Sequence, residues 1–95
     1  MFVEFEWDSR KAAANLNKHG VAFEEAATVF GDPLAAIFTD QEHSTQERRE
    51  IIIGHSAQDR LIVVSFLERS GRIRIISARK ATLRERQDYE ENPLS

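Results

Sequence analysis

Arg79 and Lys80 stand where a run of alternating arginine and isoleucine, Arg72-Ile-Arg-Ile-Ile-Ser-Ala78, gives way to a helix-forming segment. The backbone N–H groups in a helix's first turn have no intrahelical partners, and they attract anions. Basic side chains beside such a turn suit a phosphodiester, because they can hold it and stabilise the added negative charge of a pentacovalent phosphorane. A structural reading has equal standing. In it Arg79 pairs with a carboxylate across the sheet, and Arg72 and Arg74 only shield an exposed strand. Residues 72 to 86 hold six basic side chains against one acid, Glu85, in a chain of net charge −3. Positive charge concentrated inside an acidic protein points to a local anionic partner.

Other groups join this cluster as candidates. Lys11, Asn15 and Lys18 recur at i, i+4 and i+7, so a helix would project them from one stripe, with His19 in the following turn. The same spacing fits a solvated face opposing Ala12 and Leu16, and a histidine before a glycine also fits a helix C-terminus. Arg60 precedes an apolar strand and Glu68 ends it; one is a cation and the other a possible base, or an exposed acid that pairs with Arg69 or Arg72. His55 reads as a proton shuttle or as a turn residue. Tyr89 either packs across the sheet or reaches the site.

Several chemistries are unsupported. With no cysteine, the chain has neither disulfides nor thiol chemistry. Its three histidines, His19, His43 and His55, lie far apart, no acid pair has metal-ligand spacing, and no cofactor motif is present. No glycine-rich phosphate loop and no Ser-His-Asp order can be nominated. RNA needs none of these, because its own 2′-OH serves as nucleophile.

The elements that must position these groups follow from the pattern. Ninety-five residues make one domain, residues 1–95, with 41% hydrophobic and 31% charged side chains. The N-terminus has no basic and apolar leader, and no apolar run reaches membrane-spanning length. A cytoplasmic protein without membrane contact is expected. Residues 1 to 50 carry ten acids and five bases, an acidic surface suited to solubility, to repelling bulk nucleic acid or to a basic partner.

Phe2 to Trp7 alternates as an opening strand, and Asp8 is placed to cap a helix that stops at His19-Gly20. Phe23, Ala26, Ala27 and Phe30 form a short amphipathic helix ended by Gly31-Asp-Pro. Four strands follow, Leu34 to Thr39, Arg48 to His55, Leu61 to Glu68 and Arg72 to Ser77, joined by short polar turns in a meander. Leu61 to Leu67 is apolar on both faces and reads as the central strand. Thr82-Leu-Arg-Glu85 is a capping box that opens a last helix, with Arg86 and Glu90 at i,i+4, and Glu91 to Ser95 reads as a frayed tail. The order β-α-α-β-β-β-β-α predicts an α+β fold with helices against a mostly antiparallel sheet.

Taken together, Trp7-Asp-Ser-Arg-Lys11 with Asn15 and Lys18-His-Gly20, Phe23 to Phe30, Asp32-Pro33 and Arg72 to Ala81 resemble the BrnT family of bacterial toxins. Arg84-Glu-Arg86 and Tyr89-Glu90 resemble that family's C-terminal helix, so the likeness spans nearly the whole chain. The resemblance implies a RelE/ParE-like fold and the toxin of a type II toxin–antitoxin module. It implies a metal-independent endoribonuclease that inhibits translation, acting on RNA free or on the ribosome. It also implies neutralisation by a BrnA-like antitoxin of ribbon-helix-helix type, through which alone the complex would reach operator DNA and repress its operon. Cleavage through 2′-OH attack needs cations for the phosphorane, a base and an acid. On this resemblance Arg79, Arg60 and Lys18 serve the phosphate, Glu68 or His19 is the base, and Tyr89 or Lys80 is the acid. Arg72, Arg74, Lys80 and Lys11 then contact RNA more widely. Two rival readings use the same fold, a ParE-like poison that binds a protein target without cleavage and a co-repressor subunit.

Overall fold

Asp8 starts the first helix as its side chain allows, with Oδ1 accepting from the backbone N–H groups of Arg10 at 2.8 Å and Lys11 at 3.2 Å. Those hydrogen bonds hold its carboxyl below the usual aspartate range. Gly20 ends the helix at φ 71°, where a side chain would be strained, and donates its N–H to Leu16 O. The computed structural model describes residues 3–40 and 48–91; Phe2, His43 and residues 92–95 lie outside them. Within that span the elements are β1 (Glu4–Glu6), α1 (Ser9–His19), α2 (Phe23–Thr28), a 3-10 turn (Val29–Gly31), β2 (Ala36–Thr39), β3 (Glu50–His55), β4 (Leu61–Arg69), β5 (Arg72–Lys80) and α3 (Leu83–Glu91). The α+β order matches the one read from the sequence, with the 3-10 turn added and β5 running on from Ser77 to Lys80.

The sheet order is β1-β5-β4-β3-β2, so the doubly apolar β4 is central and β2 to β5 form the expected antiparallel meander. The opening strand closes the sheet by pairing parallel to β5, Glu4 opposite Arg72 and Glu6 opposite Arg74. The sheet is therefore mixed, and its far edge carries an ionic ladder. Ser70 and Gly71, at φ 54° and 78°, make the two-residue turn that joins β4 to β5. Ser65 pairs with Ser77 and Phe66 with Ile75, which leaves Ile76 as a one-residue bulge.

The two faces differ. Against one, Val21, Phe23, Ala26 and Val29 from the helical half pack on Ile62, Val64, Phe66, Ile75 and Ala78. Phe30 joins this core edge-to-face with Phe5 at 5.2 Å and Phe66 at 4.9 Å. The other face carries a smaller cluster of Ile53, Leu61 and Val63, with Ala36, Ile51, Ala81 and Tyr89 packed against it. A single cross-strand row, Ala36–Ile53–Val63–Arg79, runs over this second face.

One reading of α1 is reversed. Asn15 is not on the wet stripe with Lys11 and Lys18; it is 7% exposed, while Leu16, assigned to the buried face, is 52% exposed. Three backbone groups explain the inversion. The Asn15 amide donates to Val21 O at 2.9 Å and Ala78 O at 2.8 Å, and Oδ1 accepts from Ala78 N at 3.1 Å. It thereby stitches the end of α1 to β5 next to Arg79, a task no apolar side chain can perform.

Candidate active site

The capping box at the start of α3 forms as its sequence predicts: Glu85 N donates to Thr82 Oγ1 at 3.1 Å, and Thr82 N to Glu85 Oε1 at 2.9 Å. The same carboxylate serves a second purpose. Arg79 donates Nη1–H to Glu85 Oε1 at 2.8 Å and Nη2–H to Oε2 at 2.9 Å, a fork-on-fork pair across the β5–α3 junction. Arg79 pins the carboxyl of Glu85 at about 2, and the guanidinium's own pKa is raised by Glu85 in turn. Nη1 also reaches Lys80 O at 3.4 Å. The Nε–H and second Nη2–H edge of the fork has no hydrogen bond to any described residue, and the side chain is 42% exposed. Arg79 is thus charged at any working pH, held in orientation, and left with one bidentate edge for an anion.

Arg60 lies at the same end of the sheet but on the α1–α2 side. Its Nε donates to Glu25 Oε2 at 2.8 Å, and Nη2 makes a short contact with Glu25 Oε1 and a 3.1 Å bond to Gly20 O. Ser56 Oγ completes the shell of Glu25, donating at 2.7 Å. The Glu25 side chain is 3% exposed, yet its carboxyl stays below the usual range, because the hydrogen bond from Arg60 outweighs burial. Arg60 therefore neutralises a buried acid and ties the β3–β4 turn to the end of α1, leaving Nη1 for other contacts.

A third cluster lies beyond the Ala36–Ile53–Val63–Arg79 row. Asp32 Oδ2 accepts from His55 N at 2.7 Å and sits 3.7 Å from His55 Nδ1, and Oδ1 accepts from Leu34 N at 2.9 Å. Burial pushes the Asp32 carboxyl up, but these bonds and that of Tyr89 outweigh it and leave it lowered. The Tyr89 hydroxyl is 3.2 Å from both Asp32 Oδ2 and Leu34 O, and its ring meets His55 edge-to-face at 5.6 Å. Burial and the Asp32 charge raise the Tyr89 pKa. Gly54 makes the close approach possible: a Cβ there would lie 2.8 Å from Ala35 Cβ and 3.0 Å from Asp32 Oδ2.

The remaining candidates divide by position. Lys18 and His19 end α1 beside Gly20, on the Arg60 side. Lys80 pairs with Ile62 and so lies on the α1–α2 face, opposite the face of Arg79. Lys11 is in the first turn of α1, about two turns from Lys18. Glu68 is not brought to this end: five residues separate it along β4 from Val63, the partner of Arg79, a span of roughly 16 Å at ~3.3 Å per residue. Arg72 and Arg74 share the far end and are occupied. Arg72 lies 3.0 Å from Glu4 and 3.7 Å from Glu6, and Arg74 lies 3.0 Å from Glu6. The sequence reading sent Glu68 to Arg69 or Arg72; β1, paired in parallel, supplies the acids for Arg72 instead.

Glu25, Asp32 and Glu85 were missed as partners of the candidate groups. In the sequence Glu25 has no signal beyond its place in a helix, Asp32 reads as part of a helix stop and Glu85 as a cap. Only the capping-box spacing carried a usable signal, since an N3 glutamate lies within reach of the strand residue just ahead of the cap. Among the described residues no group of three or more His, Cys, Asp or Glu is disposed to hold a metal ion, and no helix is long and apolar enough to cross a membrane.

Comparison with known proteins adds a family to this geometry. A family model described as ribonuclease toxin, BrnT, of type II toxin-antitoxin system matches residues 7–85. No curated protein matches the chain. The crystal structure of the Brucella abortus ribonuclease toxin BrnT superposes with a TM-score of 0.65 at 24% identity, over 85% of this chain and 99% of that one. At that identity the likeness is one of fold.

Proposed function

The chain belongs to the BrnT family of ribonuclease toxins of type II toxin–antitoxin systems, and from that premise we propose that it cleaves RNA without a metal ion, by attack of the RNA's 2′-OH on the adjacent phosphate. The observation that carries this reading is the free Nε/Nη2 edge of Arg79, with the opposite edge clamped by Glu85. A clamped guanidinium fits two phosphoryl oxygens at once and needs no reorganisation as charge builds on the phosphorane.

Proton transfer falls to groups near that edge. His55 is on the same sheet face and has its Nδ1 side turned to Asp32, the arrangement that leaves Nε2 to take or give the proton. Tyr89 orients the pair, and its raised pKa together with its bond to Asp32 makes it the weaker acid. On the other side of the sheet end, His19 is the alternative base, and Lys18, Lys80 and the remaining Nη1 of Arg60 contact the flanking phosphates. Glu68 is too far along β4 to serve as base to a phosphate on Arg79. Arg72, Arg74 and Lys11 can only contact a longer RNA, and the first two must first leave their carboxylates.

Such a toxin acts in the cytoplasm and inhibits translation, neutralised by a BrnA-like antitoxin that carries the complex to its operator. A poison that binds a protein without cleavage has no need of a clamped, half-exposed guanidinium. The test is RNA incubated with the purified protein in EDTA, followed by end-group analysis. Fragments ending in 2′,3′-cyclic phosphate, and no cleavage where a single 2′-deoxy nucleotide replaces the cut residue, are expected. Cleavage that requires added magnesium, or that survives the 2′-deoxy substitution, overturns the mechanism.

A further inference from the structure

Beside Arg79 the second sheet face is hollowed by a cavity of about 230 Å³. Ala36, Ile53 and Val63 form its floor, Phe38 lines it from the edge strand, and Glu85, Asp88 and Tyr89 line it from α3. Val63 is the direct cross-strand partner of Arg79, and Glu85 is its ion-pair partner, so cavity and anion site adjoin. The volume is below the ~300–1,000 Å³ of pockets that hold drug-sized molecules, which suits one flat ring system and excludes a folded peptide segment.

Two features define what the cavity takes. Phe38 is 51% exposed although aromatic, an open π-face of the kind on which single-stranded bases stack. Asp88 has no hydrogen bond or ion pair with any described residue, whereas Glu85 is fully engaged by Arg79 and Thr82. The cavity therefore offers one free carboxylate, an acceptor with two oxygens and no donor. We infer that this cavity is the base-recognition subsite for the nucleotide next to the cleaved phosphate, and that Asp88 selects guanine. Among the four bases only guanine presents two adjacent donors, N1–H and N2–H, to a carboxylate. Adenine and cytosine set a ring acceptor beside their amino group, and uracil flanks its single N–H with two carbonyls. A site that leaves a carboxylate facing an acceptor discriminates strongly, because the mismatch is repulsive as well as unpaired.

The assignment rests on the ribonuclease reading for its ligand being an RNA base, so its test uses nucleosides, which carry no phosphate and cannot be cleaved. Guanosine, adenosine, cytidine and uridine are titrated separately into the protein while the methyl signals of Ala36, Ile53 and Val63 are followed by NMR. Guanosine is expected to shift those methyls and to bind at least about tenfold more tightly than the other three. Asp88→Asn, at an exposed position with no partner among the described residues, brings guanosine within about twofold of adenosine. Phe38→Ala weakens all four together. In parallel, mapped cuts in RNA lie next to guanine for the wild type and spread to other bases in Asp88→Asn. Methyls that do not move, four equal affinities, or a guanine preference that survives Asp88→Asn each overturn the proposal. A protein that cuts RNA with no base preference overturns the subsite alone. One that binds guanosine at these methyls but cuts no RNA overturns the ribonuclease reading and leaves only the selection of guanine by Asp88 standing.

Discussion

Replacing Asn15 by alanine tests whether one buried amide sets the position of α1 on the sheet. The side chain is 7% exposed and makes three hydrogen bonds, to Val21 O, Ala78 O and Ala78 N. Alanine removes all three and adds none. Each backbone group left unsatisfied costs ~1–3 kcal/mol; with water reaching part of the space, the sum is about 3 kcal/mol. That is a large share of the ~5–15 kcal/mol that stabilises a domain. At ~4–8 °C per kcal/mol for a chain of this size, the melting temperature falls by at least ~12 °C. Urea unfolding followed by circular dichroism reads the loss directly, with the midpoint lowered and the slope unchanged. Asn15→Asp sharpens the test. A carboxylate there still accepts from Ala78 N but faces two carbonyl oxygens, so the variant should be less stable at pH 7 than at pH 4, where the side chain becomes a donor again. Refutation is an Asn15→Ala protein within about 1 kcal/mol of wild type, which is the scale of one ordinary hydrogen bond.

Two further perturbations address the ion pairs. Glu85 has its carboxyl at about 2 against an ordinary 4.5, so its contribution to stability is complete above pH 4.5 and is lost as the pH falls towards 2. The melting-temperature difference between wild type and Glu85→Gln should be constant from pH 7 to about 5 and vanish by about pH 2, and a difference that persists there contradicts the assignment. Arg60→Met strands the Glu25 carboxylate in the core with only Ser56 Oγ. Burial then raises its pKa, so the variant should gain stability on acidification from neutral pH. Wild type, in which Glu25 is lowered, should stay level over that range and lose stability only as the pH falls below the ordinary glutamate value of 4.5. Parallel pH profiles for the two proteins would show that Glu25 is not a buried carboxylate held by Arg60.

Local rules recovered the elements because each boundary has a chemical cause in neighbouring residues. Asp8 caps by its own carboxylate, Gly20 and Gly71 take positive φ, and Thr82 with Glu85 closes a box four residues long. The apolar run Leu61 to Leu67 marks the central strand because both of its faces are covered. What sequence could not show are the pairings made at long range. Glu25 meets Arg60 across 35 positions, Tyr89 meets Asp32 across 57, and Asn15 meets Ala78 across 63. Helical periodicity assigned Asn15 to water because nothing within one helix reveals that the carbonyl of Val21 and the carbonyl and N–H of Ala78 in β5 wait opposite it. The arginines of β5 show the same limit. Arg72, Arg74 and Arg79 alternate with apolar residues in one strand, yet β1 neutralises the first two while α3 clamps the third. The partner element, not the residue type, separates an edge ladder from an anion site.

The central claim is that the free edge of Arg79 holds the phosphate under attack. Its most direct measurement is single-turnover cleavage of one defined RNA in EDTA by wild type, Arg79→Lys and Arg79→Ala, with the fold of each checked by circular dichroism. The account predicts a fall of ~10²–10³ in rate for Arg79→Ala, the usual loss when a charge-stabilising donor is removed from a reaction centre. Arg79→Lys should remain well below wild type, because an ammonium keeps the charge without the fork. A folded Arg79→Ala protein that cuts at the wild-type rate would contradict it.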